Sequence, residues 1–221
     1  MKIDYLNPSV PPSLPWHEVP LVRATAVSLA GYGLLVDDPE NHPVEIVTWP
    51  SLGWRPVDPG TGNEGGTVSG HFDVWWDGEV LFARNEAVND QYLIGWSRNP
   101  GEVDAPGSGP STAPDRSRVL LWHANYHPDG GQLFYPDDGG PFVAPLALPG
   151  DDVTPGDFAA FYIEPGKGLY IHPGVWHEAV FPLSGRARFF DRQGRVHARN
   201  SCNFAEEFGV FLSIPLREPA V

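Results

Sequence analysis

The sequence predicts an all-β fold, one double-sheet barrel preceded by an extended arm, and three observations carry that expectation. The 221 residues include 25 glycines and 25 prolines, a density of turn formers that leaves little room for long helices. About a dozen short segments either alternate apolar and polar residues or form compact apolar runs bounded by turn residues, the patterns of half-buried and buried strands. Hairpin signals join them: Asp77-Gly78 lies between two apolar runs, and Asp191-Arg192-Gln193-Gly194 separates two more.

Taken in order, residues 1–20 are proline-rich and predict an extended arm packed on the barrel edge or on a neighbour. Residues 22–36 mix apolar positions with a Gly31-Tyr32-Gly33 break, so a short helix or strand turns there into a strand. Strand candidates follow at 44–49, 70–84, 91–96, 118–127, 131–136, 142–148, 158–164, 168–172, 178–183, 186–192, 195–201 and 208–216. Residues 99–117 are polar, rich in Gly, Pro and Ser, and without periodicity, which predicts an exposed, flexible loop between two strand-rich halves. Two domains would fit that division. With no internal repeat evident, a single barrel domain over 21–221, its first half forming an outer layer, fits better.

Composition narrows the partners. The chain carries 28 acidic against 14 basic residues, a formal net charge of −14, so no general positive field exists to attract nucleic acid or anionic lipid. Five of the basic residues, Arg186, Arg188, Arg192, Arg195 and Arg199, fall in one stretch that reads mostly as a solvated face or a subunit contact. Cys202 is the single cysteine, which removes an intramolecular disulfide and a zinc-thiolate cluster and suits a reducing compartment. The first residues lack a secretory pattern and no segment reaches 18 apolar residues, so the expected location is the cytoplasm.

Chemistry concentrates in the second half. Five histidines lie between residues 123 and 197, and four of them, His123, His127, His172 and His177, flank two turn-rich segments, 123–136 and 168–181. Strand alternation places His123, Asn125 and His127 on one face, and Tyr170 with His172 on one face. His17, His42, His71 and His197 read as surface or packing residues. Glu178, next to His177, should point to the opposite face of a regular strand.

The turn Pro173-Gly174-Val175-Trp176-His177 resembles the second motif of the cupin family, in which a Pro-Gly turn precedes a strand aiming a metal-binding histidine into a jelly-roll barrel. At the positions of the first cupin motif stand Asn125, His127 and Gln132, so two of the usual ligands are replaced by neutral amides, which hold divalent metal less strongly. The string from His127 through Pro136 resembles the ureidoglycolate lyase element His-Pro-x-Gly-x-Gln-x-Phe-x-Pro. The string from Gly168 through His177 resembles that family's Gly-Val-x-Tyr-His-x-x-x-Trp-His. The likeness covers residues 120 to 200 and thins upstream, where residues 45–75 and 99–117 look like additions.

That resemblance implies a cupin-type double-stranded β-helix with an N-terminal strand extension, and a lyase releasing urea and glyoxylate from ureidoglycolate in purine and allantoin breakdown. It implies His127, Gln132 and His177 around a weakly held divalent metal ion or the substrate oxygens, with His172, His177 and His127 as the catalytic set. Asn125 and Tyr170 are the expected ureido-binding groups, Gln132 a further substrate-binding group, Lys167 and Arg192 the expected carboxylate partners, and the assembly a homodimer. Two alternatives stay open: a metal-dependent cupin dioxygenase or isomerase, and a non-catalytic binder of a small acid.

Overall fold

A computed structural model describes residues 4–47, 53–61, 65–103, 114–195 and 197–220. Of the two segments read as additions, residues 48–52, 62–64 and 104–113 lie outside the described residues.

Short strands make up the fold, as the turn density requires. The first part of the chain contributes β1 (Trp16–Glu18), β2 (Leu21–Arg23), β3 (Gly33–Val36), β4 (Thr67–Asp77), β5 (Val80–Asn85) and β6 (Asp90–Trp96). A four-residue helix, α1 (Pro100–Val103), precedes β7 (Arg118–Leu121), β8 (His123–Tyr126), β9 (Gln132–Pro136) and β10 (Phe142–Ala147). After a 3-10 turn come β11 (Ala159–Ile163), β12 (Gly168–Ile171), β13 (Trp176–His177), β14 (Phe181–Pro182), β15 (Arg186–Gly194) and β16 (Asn200–Asn203). A second short helix, α2 (Phe204–Glu207), leads into β17 (Phe211–Pro215).

Two sheets result. One has ten strands in the order β1-β17-β7-β6-β5-β4-β15-β9-β12-β3; the other runs β16-β8-β13-β10-β11-β2, with β14 paired to β10. The fold is all-β and jelly-roll-like, but the sheets do not close on each other into a continuous barrel. The main core fills the space between the layers, with Phe134, Phe142, Phe161, Trp176, Phe181 and Phe189 among its largest side chains. Each is fully withdrawn from water, worth about 1.5–3 kcal/mol for a side chain of that kind. No helix among the described residues is long and apolar enough to cross a membrane.

The arm is partly structured. β1 adds a parallel edge strand to β17, and the carbonyl of Tyr5 accepts a hydrogen bond from the Leu93 amide at 2.8 Å. Residues 44–47 form no strand of the sheets; Ile46 makes one antiparallel bridge to Gly130, and Val57 makes another to Asn200. The segment read as an addition thus bridges to the backbone three residues after His127 and three residues after His197.

Register decides which side chains meet. Residues directly opposite on paired strands share a face of the sheet. His177 lies opposite Asn125, so His123, Asn125 and His177 of the six-strand layer face the same side. Gln132 in the other layer lies opposite both Ile171 and Gln193, and Phe134 lies opposite Asp191. Gln132, Phe134, Ile171 and Asp191 therefore share the inner face, which turns Leu133, Tyr170 and Arg192 outward.

A histidine hollow between the two sheets

The inner faces enclose a small hollow of about 30 Å³, lined among others by His123, Asn125, His127, Gln132, His177 and His197. That volume holds roughly two water molecules. His127 is brought in by a turn: Gly174, at φ +78°, adopts the left-handed backbone that favours glycine and donates its amide to the His127 carbonyl at 2.9 Å. The turn resembling the second cupin motif is in this way tied to the first histidine-bearing strand.

Both central imidazoles have defined tautomers. His127 Nδ1 faces the Ala198 carbonyl at 2.8 Å and His177 Nδ1 faces the Val175 carbonyl at 2.8 Å. A carbonyl only accepts, so Nδ1 carries the hydrogen in each ring and Nε2 of the neutral ring offers a lone pair. The two rings stand edge to face with centroids 5.0 Å apart, and His197 lies 4.6 Å from His127 on another side. Burial pushes His127 down to about 4 and His177 down to about 3, and it holds His197 well below the usual imidazole range. At neutral pH the three are uncharged bases.

Behind them runs a chain of amide and acid. His177 Nε2 is 3.2 Å from Gln132 Oε1, and Gln132 Nε2 is 2.8 Å from Asp191 Oδ1. Asp191 is completely buried, and desolvation raises its carboxyl to about 7. A neutral His177 with Nδ1–H needs a donor at Nε2, so the amide of Gln132 turns its NH2 to His177 and its oxygen to Asp191, which must then donate as a protonated acid. The low base strength of His177 and the raised Asp191 favour this uncharged arrangement over an imidazolium-carboxylate pair.

The hollow's second wall is charged. His123 Nδ1 meets Glu178 Oε2 at 2.8 Å, and the same oxygen accepts from Asn125 Nδ2 at 3.3 Å. Glu178 was expected to face away from His177; it lines the hollow instead, because β13 ends at His177 and strand alternation does not continue past it. His197, expected on the surface or in packing, also lines the hollow, with its Nε2 buried and without a hydrogen-bond partner among the described residues. Its φ of +44° takes it out of regular strand geometry.

The other expected residues lie elsewhere. His172 lines an outer groove of about 640 Å³ with Glu45, Tyr126, Asp151 and the Pro173-Gly174 turn. Tyr170 packs beneath the same surface with Val36 and Leu133, and its hydroxyl accepts a hydrogen bond from the Glu45 amide at 3.0 Å. Arg192 donates to Ser69 Oγ and to the carbonyls of Glu40 and His42, and Lys167 pairs with Asp37 at the surface. The structure therefore brings together Asn125, His127, Gln132 and His177 and does not bring His172, Tyr170, Lys167 or Arg192 to them. The physical reason is the register: Tyr170 stands one residue from Ile171, and Arg192 one residue from Asp191, so both turn to the opposite face.

As a metal site the donor set is a poor fit. It offers two imidazoles and an amide already engaged between His177 and Asp191. Among the described residues no group of three or more His, Cys, Asp or Glu side chains is arranged to hold an ion. The sole cysteine, Cys202, is buried, and burial pushes its thiol up to about 12, far from a reactive thiolate.

Comparison with known proteins bears on the same part of the chain. Residues 110–210 match the model of the ureidoglycolate lyase family. Ureidoglycolate lyase 2 of Rhizobium meliloti is 38% identical over 84 residues, 37% of this chain and 48% of the relative. The ureidoglycolate lyase of Stutzerimonas stutzeri is 38% identical over 79 residues, 35% of this chain and 45% of the relative. That of Rhodobacter capsulatus is 41% identical over 70 residues, 31% and 43% respectively. The chain thus spans about half the length of the curated relatives it matches. The ureidoglycolate lyase match includes His123, His127, Gln132, His177, His197 and Arg199, but excludes the arm and the 45–75 segment.

Proposed function

We propose that this chain is a ureidoglycolate lyase, splitting ureidoglycolate into urea and glyoxylate in the hollow between the sheets. The observation that supports it most is the pair of uncharged imidazoles, His127 and His177, gathered in one desolvated space with the amides of Asn125 and Gln132.

The reaction needs little more than a proton moved over a short distance. The carbinol O–H loses its proton, the oxygen's electrons form the aldehyde C=O, the C–N bond breaks with its pair going to nitrogen, and that nitrogen takes a proton as urea leaves. The proton count balances, so one base can accept at oxygen and deliver at nitrogen. An uncharged imidazole can accept the proton, and burial, which lowers its basicity, makes the imidazolium so formed a ready donor to the leaving nitrogen. His127 and His177 stand edge to face and side by side in the lining of the hollow, so a carbon held there would meet both rings, and Asn125 offers a donor and an acceptor to the ureido group. The acid-amide chain from Asp191 through Gln132 holds the His177 ring in place. His172, expected as the acid/base, sits in the outer groove, so this scheme assigns the transfers to His127 and His177. A homodimer, suggested by the family resemblance, and a cytoplasmic location, which suits the single cysteine, are part of the same proposal.

A coupled assay for urea and glyoxylate from racemic ureidoglycolate, with and without chelator, tests the reading. Stoichiometric release of both products, undiminished by chelator, is the expected result. Absence of both products would overturn it, and loss of activity only with chelator would restore the metal to the mechanism.

A further inference from the structure

One buried cation in the hollow is left with its fork nearly unused. Two arginines are withdrawn from water beside the site, Arg55 and Arg199, with relative exposures of 8% and 7%. Arg55 is fully engaged: its two terminal nitrogens meet the Glu207 carboxylate at 3.0 and 2.7 Å, and Nε donates to the Asp151 carbonyl at 2.8 Å. Arg199 is not. Among the described residues the carboxylate that reaches it is Asp90, at 3.4 Å from Nη1, beyond the usual 2.7–2.9 Å of a charge-assisted bond, and its buried Nε has no hydrogen-bond partner among them. A desolvated guanidinium costs too much to leave half-paired without reason.

What covers Arg199 is an aromatic side chain from the arm. The guanidinium lies 4.6 Å from the ring centroid of Tyr5 and 5.9 Å from that of Tyr92. The Tyr5 ring also packs edge-on against His123 at 5.1 Å, so it sits on the hollow. It is latched there from outside, its hydroxyl donating to Asp58 Oδ2 at 2.8 Å. Ser201 donates to that same carboxylate oxygen at 2.6 Å, which draws Asp58 towards Tyr5 and Ser201. The Arg199 backbone is fixed in turn by the Asp58–Thr61 turn: Asp58 donates its amide to the Arg199 carbonyl at 2.8 Å, and Thr61 Oγ1 accepts the Arg199 amide at 3.2 Å.

We propose that Arg199 is the carboxylate anchor of the hollow and that the Tyr5 ring is its removable cap. A small α-hydroxy acid enters as the arm lifts, exchanging the weak cation-π contact for a fork of charge-assisted bonds. The carboxylate then lies across the hollow from His127 and His177. The device is built from the arm and the 45–75 segment, parts of the chain outside the family match. The identity of the acid as ureidoglycolate rests on the reading above; the anchor itself does not.

Calorimetric titration separates the two. Glycolate and its uncharged amide, glycolamide, are titrated into the full chain, into Arg199→Gln and into Tyr5→Phe. The parent should bind glycolate about tenfold or more tighter than glycolamide, the worth of one hydrogen bond to a charged group. Arg199→Gln should erase that preference, and Tyr5→Phe, which frees the latch, should strengthen glycolate binding severalfold. If Arg199→Gln fails to fold, as judged by its thermal melt, the parent ratio and Tyr5→Phe still decide. No preference in the parent, a preference kept by Arg199→Gln, or glycolate binding unchanged in Tyr5→Phe overturns the proposal. A parent that prefers glycolate but releases no urea from ureidoglycolate keeps the anchor and loses the lyase reading; turnover with an unchanged KM in Arg199→Gln does the reverse.

Discussion

His177 and His172 lie five residues apart around one Pro-Gly turn, yet one faces the hollow between the sheets and the other the groove outside them. In the hollow, His177 meets a second imidazole, has both ring nitrogens engaged and is drained of base strength by burial. In the groove, His172 is half-buried, beside the edge of Tyr170 and open to a far larger space. Size alone would favour the groove as the working site. The chemistry favours the hollow, where uncharged bases, a neutral acid and an unsatisfied cation converge away from water.

Several substitutions would break or sharpen that contrast. The largest effect is expected from His177→Ala, which removes one of the two facing bases: urea release should fall by about 10²–10⁴-fold, measured under saturating substrate. Activity near the parent's would remove the hollow from the mechanism.

Next in size is the pH dependence of stability. Between pH 6.5 and 4 the unfolded chain protonates histidines that the folded hollow keeps neutral, so stability falls on acidification. Asp191, raised to about 7, works oppositely, because above pH 4 the folded chain holds a proton that the unfolded one has lost. Three imidazoles against one carboxyl leave a net uptake of about two protons on unfolding, and a loss of roughly 2–3 kcal/mol between pH 7 and pH 5. Urea denaturation at the two pH values reads it; equal or greater stability at pH 5 contradicts the desolvated cluster.

Asp191→Asn sharpens the same point. An amide replaces the neutral acid as donor to Gln132 without the cost of keeping a carboxyl protonated, so stability at pH 6 should rise by roughly 2–3 kcal/mol, while the drop between pH 7 and pH 5 becomes steeper once the opposing carboxyl is gone. An unchanged slope would mean that Asp191 is ionised. Smallest of all, Lys167→Ala cuts only an exposed pair with Asp37, and both KM and stability should stay within about 1 kcal/mol of the parent.

Much of this arrangement is legible in the sequence. Turn density and alternation forecast the all-β class, and the spacing of His123, Asn125 and His127 forecasts their common face, since period-two parity is a local property. The likeness to the ureidoglycolate lyase motifs singles out His127, Gln132 and His177, three side chains that line one hollow. Cross-strand register is not local, and that is where the reading stops. Tyr170 and His172 do share a face, but only the pairing of Gln132 with Ile171 shows that it is the outer one. Arg192 turns outward for the same reason, while Arg199, past the end of β15, finishes inside. Glu178 and His197 escape because each sits just where strand geometry ends. Tyr5 has no signal at all in a proline-rich arm; a long-range contact alone gives it a role.

The claim that the inner hollow carries the chemistry is tested most directly by measuring kcat for His127→Gln and His172→Gln side by side in the urea and glyoxylate assay. The account predicts a loss of at least about 10²-fold for His127→Gln and a rate within about threefold of the parent for His172→Gln. A parent-like rate for His127→Gln with a collapsed one for His172→Gln would contradict it.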